Sequence, residues 1–319
     1  MKKTLMAVAW LCCAPTHADI SVDDGYGEAG IAAAPLIAGF DQQVVDVAID
    51  AQGRAVVVGQ TYVPPAGFFT WQLAVARFNA DGTPDNTFSG DGRLHMAACM
   101  PLTGADSDAT AVLIQPDGKI LVAGTCHSAP SRAVLLRFLA DGSLDEDFGE
   151  GGVAIFSGEP GTGGINAYAI GLQSDGRIVL AGQIGVNTFP PRALVMRANV
   201  DGTLDTTFAS GGYHVAAMND SWYLALEVMD DDRIVVAGHA NARSGFPADY
   251  NFLVARLEAG GAPDGTFNGN GFIDLDVPPM PTVPTLPASS QEFVNGLAIR
   301  PDGRIVIAGS ASGNGSSNR

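Results

Sequence analysis

The stretch IQPDGKILVAG, Ile114 to Gly124, sets a turn dipeptide between two apolar runs, and the 319-residue chain repeats it. Relatives stand at IDAQGRAVVVG (Ile49 to Gly59), LQSDGRIVLAG (Leu172 to Gly182), VMDDDRIVVAG (Val228 to Gly238) and IRPDGRIVIAG (Ile299 to Gly309). Take the turn residue (Gly53, Gly118, Gly176, Asp232, Gly303) as a zero point. Four residues earlier stand Ile49, Ile114, Leu172, Val228 and Ile299, and six earlier stand Val47, Val112, Ile170, Leu226 and Leu297. Small residues such as Ala48, Gly171 and Ala298 fall between them. That period of two predicts a strand. A basic residue follows the turn in every copy (Arg54, Lys119, Arg177, Arg233, Arg304), and then comes an apolar run closed by Gly. Such a run, rich in Val and Ile, predicts a second strand covered on both faces. Asp-Gly pairs supply the positive φ angles of a tight hairpin turn, so each copy reads as a two-strand hairpin.

A second block recurs between the hairpins: VARFNADGTPDNTF (Val75 to Phe88), LLRFLADGSLDEDF (Leu135 to Phe148), VMRANVDGTLDTTF (Val195 to Phe208) and VARLEAGGAPDGTF (Val254 to Phe267). The blocks begin 60, 60 and 59 residues apart, with Arg always eleven residues before Phe and a Gly four after it. Fixed spacing means a fixed corner. One unit contains a short strand after that Gly, the two hairpin strands and the strand ending at Arg. Four strands in about 60 residues is the scale of a propeller blade. The fold class expected is therefore all-β, a β-propeller of about five four-stranded repeat units whose last unit lacks one strand.

These motifs resemble the delta-60 repeat family of exported bacterial proteins. The residues that carry the resemblance are the PDGKILVAG hairpin and the corner block, best preserved as RFLADGSLDEDFGEGG from Arg137 to Gly152. DDGYGEAG, Asp23 to Gly30, looks like the tail of one more block, while Gly260 and Pro263 depart from the pattern in the last one. The resemblance implies a propeller-like fold and no established activity.

The opening MKKTLMAVAWLCCAPTHADI carries Lys2 and Lys3, an apolar run from Leu5 to Ala14 and a small residue at Ala18. It reads as a secretory signal peptide over residues 1–18, too short to span a bilayer. The propeller is expected over 19–310 and a Gly/Ser-rich tail over 311–319. The formal charge is −17, and two lysines leave with the leader. That balance argues against nucleic acid and anionic membranes as partners. No membrane insertion is expected, and the chain is placed outside the bacterial cytoplasm: secreted, periplasmic or on the cell surface. Once the leader is gone, Cys99 and Cys126 remain, and in an oxidising compartment a disulfide between them is the default reading.

Antiparallel strands send alternate connections to opposite ends, so hairpin turns and Arg-to-Phe corners share one face. The variable connections share the other, which is where repeat scaffolds bind. TYVPPAGFFTW, NTFPPR and RSGFPADY place aromatics there: Tyr62, Phe68, Phe69, Trp71, Phe189, Phe246 and Tyr250. Rigid aromatics suit a protein or glycan surface, though they also cap the ends of cores. Arg77, Arg137, Arg197 and Arg256 each precede an aspartate (Asp85, Asp145, Asp205, Asp264) by eight residues. Fourfold repetition makes these pairs structural clamps, since catalysis needs one constellation. Asp141, Asp145 and Asp147 crowd one turn but lack an EF-hand's spacing. His95, His127, His214 and His239 fall at unlike positions and form no H-E-x-x-H pattern. No catalytic residue, metal site or cofactor is assigned. The function expected is binding or scaffolding through the variable-loop face; the alternative is an exported lyase or hydrolase with a site over the axis. The incomplete last unit also leaves a strand edge open to self-association.

Overall fold

The computed structural model describes residues 23–33, 41–63, 70–99, 106–158, 163–186, 190–241, 250–276 and 290–313. Among them there are strands, turns and no helix. The predicted leader, Phe68, Phe69, Phe189, Phe246 and the last residues of the predicted tail lie outside the described residues.

Four consecutive antiparallel sheets repeat one plan. Unit one comprises β1 (Gln42–Ile49), β2 (Ala55–Val63), β3 (Thr70–Phe78) and β4 (Arg93–Met96). Unit two comprises β5 (Asp106–Ile114), β6 (Ile120–His127), β7 (Arg132–Phe138) and β8 (Val153–Phe156). Unit three has β9 (Gly164–Leu172), β10 (Ile178–Val186), β11 (Arg192–Ala198) and β12 (Tyr213–Asn219), and unit four has β13 (Ser221–Val228), β14 (Ile234–Asn241), β15 (Tyr250–Leu257) and β16 (Phe272–Leu275). In each, strand order in space follows chain order. A fifth hairpin, β17 (Ser290–Ile299) and β18 (Ile305–Gly313), joins the fourth sheet through one parallel bridge, Tyr250 to Gln291. First strands of successive units lie against one another, β1 on β5, β5 on β9, β9 on β13 and β13 on β17, which places them about a common axis. The chain is an all-β, propeller-type repeat protein.

The continuous apolar runs are explained by the stacking of units. Along β6, Ile120 and Val122 belong to the core shared with unit one, while Leu121 and Ala123 belong to the core shared with unit three. All four are fully buried. Each unit thus supplies half of two cores, and burial of each large aliphatic contributes about 1.5–3 kcal/mol. Unit one breaks the rule on one side. Val44, Val45, Val47 and Ile49 of β1 are exposed at 73%, 52%, 55% and 62%, whereas Val112, at the place of Val47, is 7% exposed in unit two.

One local feature departs from the sequence reading. The Gly expected to close the hairpin's second strand does not close it: β2, β6, β10, β14 and β18 run past Gly59, Gly124, Gly182, Gly238 and Gly309. Each of these glycines sits at a β-bulge, where the pairing register with the first strand shifts. A Cβ at Gly182 would lie 1.9 Å from the carbonyl oxygen of Asn166, and one at Gly124 2.0 Å from that of Asp108. The glycine answers close backbone approach across a bulge.

Candidate functional site

On the turn-and-corner face, the Arg–Asp pairs join neighbouring units. Arg77 Nε lies 2.7 Å from Asp85 Oδ2, Arg137 2.7 Å from Asp145, Arg197 2.7 Å from Asp205 and Arg256 2.6 Å from Asp264. The guanidinium also lies over the corner Phe, 4.4 Å from the ring centroid for Arg137 on Phe148. Its far nitrogen donates to the next unit's corner: Arg77 to Ala140 O, Arg137 to Val200 O at 2.6 Å and Arg197 to Ala259 O at 2.6 Å. Phe148 in turn packs on Gly202 of that corner, where φ is +87° and a Cβ would meet the ring at 2.9 Å. In units one to four the basic residue after the hairpin turn reaches the same carboxylates. Lys119 Nζ is 2.9 Å from Asp145 Oδ2, and Arg233 Nη1 is 3.1 Å from Asp264 Oδ2. Hydrogen bonding to Lys119, and then the Arg137 pair, hold the Asp145 carboxyl below its ordinary range. Asp141 accepts from both the Ser143 amide and its hydroxyl, as the Asp of a turn does. A shallow pocket of about 350 Å³ lies between turn and corner in unit three, lined by Asp175, Arg177, Asn199, Val200 and Asp201.

The opposite face carries aromatic groups that do not repeat. Tyr62 and Trp71 face each other across β2 and β3, centroids 5.2 Å apart, both half-buried. Tyr250 belongs to a larger group: Trp222 is 4.7 Å from His239, His239 is 5.4 Å from Tyr250 and 4.9 Å from Phe293. Asp220 closes the group, accepting from Asn241 Nδ2 at 2.8 Å and from the Tyr250 hydroxyl at 3.3 Å. Burial pushes His239 down to about 4. Trp222 and Asp220 were not singled out from the sequence, and His239 was set aside there as one of four histidines without a pattern. The signal was present in their position, one step from the bulge glycine or at the end of β12, where no repeat consensus operates.

The disulfide Cys99–Cys126 is present, with Cα atoms 5.6 Å apart and both residues buried. It ties the connection from unit one to the end of β6. Beside it, His127 Nε2 lies 3.0 Å from Asp108 Oδ2, and that hydrogen bond raises the imidazole pKa. Among the described residues, no three His, Cys, Asp or Glu side chains gather as metal ligands, and no helix is long and apolar enough to cross a membrane.

The residue after each bulge glycine and its partner on the first strand form an equivalent rung in every unit. The pairs are Gln43 with Gln60, Asp108 with Thr125, Asn166 with Gln183, Trp222 with His239 and Phe293 with Ser310. Thr125, Gln183 and His239 are buried, while Asp108, Asn166 and Trp222 are half-buried. Thr125 Oγ1, Asn166 Oδ1, Gln183 Oε1 and His239 Nδ1 are buried atoms with no hydrogen-bond partner.

Residues 66–88, 115–148, 173–208 and 300–319 match a family model described as a β-propeller domain of unknown function, DUF5122. These stretches cover hairpin turns and corner blocks, the parts that repeat. No curated protein matches the chain. Among solved structures, a protein of unknown function from Dyadobacter fermentans superposes with a TM-score of 0.47 at 12% identity, covering 83% of this chain and 74% of that one. A mannose phosphorylase from Leishmania mexicana gives 0.41 at 14% identity, covering 85% and 80%. An ulvan lyase of a polysaccharide lyase family gives 0.43 at 12%, covering 84% and 66%. At this level of likeness none of the three bears on what the chain does.

Proposed function

We propose that the chain is an exported propeller-type binding module that holds a glycan or protein surface through its variable-loop face. The observation that carries this reading is an asymmetry between the faces. On the turn-and-corner face the repeated charged groups are engaged within and between units. On the loop face, non-repeating aromatic groups stand half-buried at Tyr62, Trp71, Trp222 and Tyr250. Aromatic side chains bury much area at low entropic cost, which suits a recognition surface. The disulfide supports an oxidising compartment and hence export.

Retardation of the protein in native gels cast with bacterial and plant polysaccharides, together with binding to isolated cell-surface proteins, tests the reading. Trp71→Ala and Tyr250→Ala are expected to weaken at least one such interaction about tenfold or more, in line with aromatic hot spots. Asp175→Ala, on the opposite face, should leave it unchanged. Equal loss in all three variants would remove the loop face from consideration. The enzymatic alternative has the Asp108–His127 pair in its favour. Release of reducing ends from a polysaccharide, abolished by His127→Ala, would put catalysis in place of binding.

A further inference from the structure

Each sheet has two sides, and inside the molecule each side has a fixed kind of partner. In units one to four the residues two and four places after the turn cation, such as Leu121 and Ala123 or Val235 and Ala237, are buried in the core shared with the following unit. In the fifth hairpin Ile305 and Ile307 pack on unit four, but the equivalent outward pair is uncovered: Val306 is 47% exposed, and Ala308 is exposed with it. Unit one has the complementary side open. Its Val47 and Ile49 are exposed at the places of Val112 and Ile114, which the preceding unit covers in unit two. A stacked array that stands alone needs polar caps. Here both uncovered sides are aliphatic, and each matches what the other packs against at every internal seam.

The corner chemistry is divided in the same way. Residues 23–30 repeat the corner, with Asp23 at the place of Asp145 and Tyr26 at that of Phe148. They dock on unit one as a corner docks on the next unit: Gly27 N donates to Asp81 O at 2.7 Å, as Gly149 N does to Asp201 O. Yet Asp23 is exposed, accepts from Gly25 N at 3.0 Å and meets no cation among the described residues. Arg304, at the place of Lys119, has the opposite lack. Its side chain is 75% exposed and lies 3.6 Å from Asp302 of its own turn, with no corner carboxylate. One end holds a corner without a hairpin, the other a hairpin without a corner. Within one copy the two sides do not meet, since both are exposed. We propose that they meet between copies: the outer face of β17–β18 stacks on β1 of a second copy, and Arg304 pairs with that copy's Asp23. Buried aliphatic area drives the contact, and the charge pair sets its register. Each copy uses two different faces, so the contact is heterologous and adds molecules head to tail.

The test is sedimentation velocity of the mature full chain over a range of concentrations, with Val47→Asp, Val306→Asp and their equimolar mixture. The wild type is expected to grow in mass with concentration. Each variant alone has one face blocked in every copy and should stay monomeric. The mixture should form one-to-one dimers and nothing larger, because only one pairing of faces remains intact. Both positions are exposed, so both variants should melt as the wild type does. The charge pair supplies a second readout: Arg304→Asp should weaken association about tenfold, and Asp23→Arg added to it should restore the wild-type value. A wild type that stays monomeric at every concentration would overturn the proposal. So would Val306→Asp associating as the wild type does, the sign of a symmetric β1-to-β1 contact, or a mixture that remains monomeric.

Discussion

Arg137 shows how much one side chain holds in this molecule. Its guanidinium pairs with Asp145, covers Phe148 and donates to Val200 of the next unit. Lysine cannot meet three partners in one plane. Arg137→Ala would leave Asp145, 6% exposed at its side chain, with Lys119 alone and is expected to cost about 3–5 kcal/mol in urea unfolding. Arg137→Lys should recover only part of that. The clamp was legible because it repeats at fixed spacing; the contribution of the turn cation was not, because 26 residues separate Lys119 from Asp145. His239 governs a different response. It takes a proton only at about pH 4, against about 6.5 in an unfolded chain. Between those values the unfolded chain binds more protons, so stability falls as pH drops from about 6.5 to about 4. His127 acts in the opposite sense: its raised pKa gives stability that is present at low pH and lost as pH rises through the folded value. Glutamine occupies the equivalent rung position in units one and three, so His239→Gln is a fitting comparison. Melting temperatures of the variant should vary less over that window than those of the wild type, and parallel curves would show that His239 does not titrate as stated.

At the scale of the element, the hairpin was readable but its length was not. Alternating aliphatics and Asp-Gly turns are local signals, and they located both strands. The closing Gly carried two meanings in sequence, the end of a strand or a bulge within one, and only the cross-strand pairing separates them. Every second hairpin strand continues beyond it, and in units two to four the continuation carries a buried polar atom without a partner, at Thr125, Gln183 and His239. Gly182→Ala tests the bulge reading. Its Cβ would fall 1.9 Å from Asn166 O, a backbone atom that cannot swing aside. Overpacking of that kind costs about 1–3 kcal/mol or more, measured as a lower midpoint in urea. Thr206→Ala, at an exposed corner position of the same unit, should cost far less. Equal effects would mean that the strand ends at Gly182 after all.

At the scale of the whole molecule, the repeat spacing foretold units and their order because each unit obeys nearest-neighbour chemistry. The candidate site was only partly legible, since its residue types do not repeat: Trp222 and His239 stand at a rung that every unit has but that each unit fills with a different pair. Stacking also defines what an unstacked face looks like. Val47 and Ile49 are 55% and 62% exposed where Val112 of unit two is covered by unit one. With Val44 and Val45 they form one apolar strand face, of the kind that joins copies or aggregates. The acidic chain opposes such contact through charge, and salt screens charge while leaving apolar attraction intact. Light scattering should therefore report a mass that rises with protein concentration, and more steeply in 1 M than in 0.1 M salt, where the screening length is about 3 Å rather than about 10 Å. Replacing both Val47 and Ile49 by Thr keeps strand propensity and removes apolar area. That variant should stay monomeric at both salt concentrations, and a mass that still climbs as in the wild type would place the contact elsewhere on the molecule.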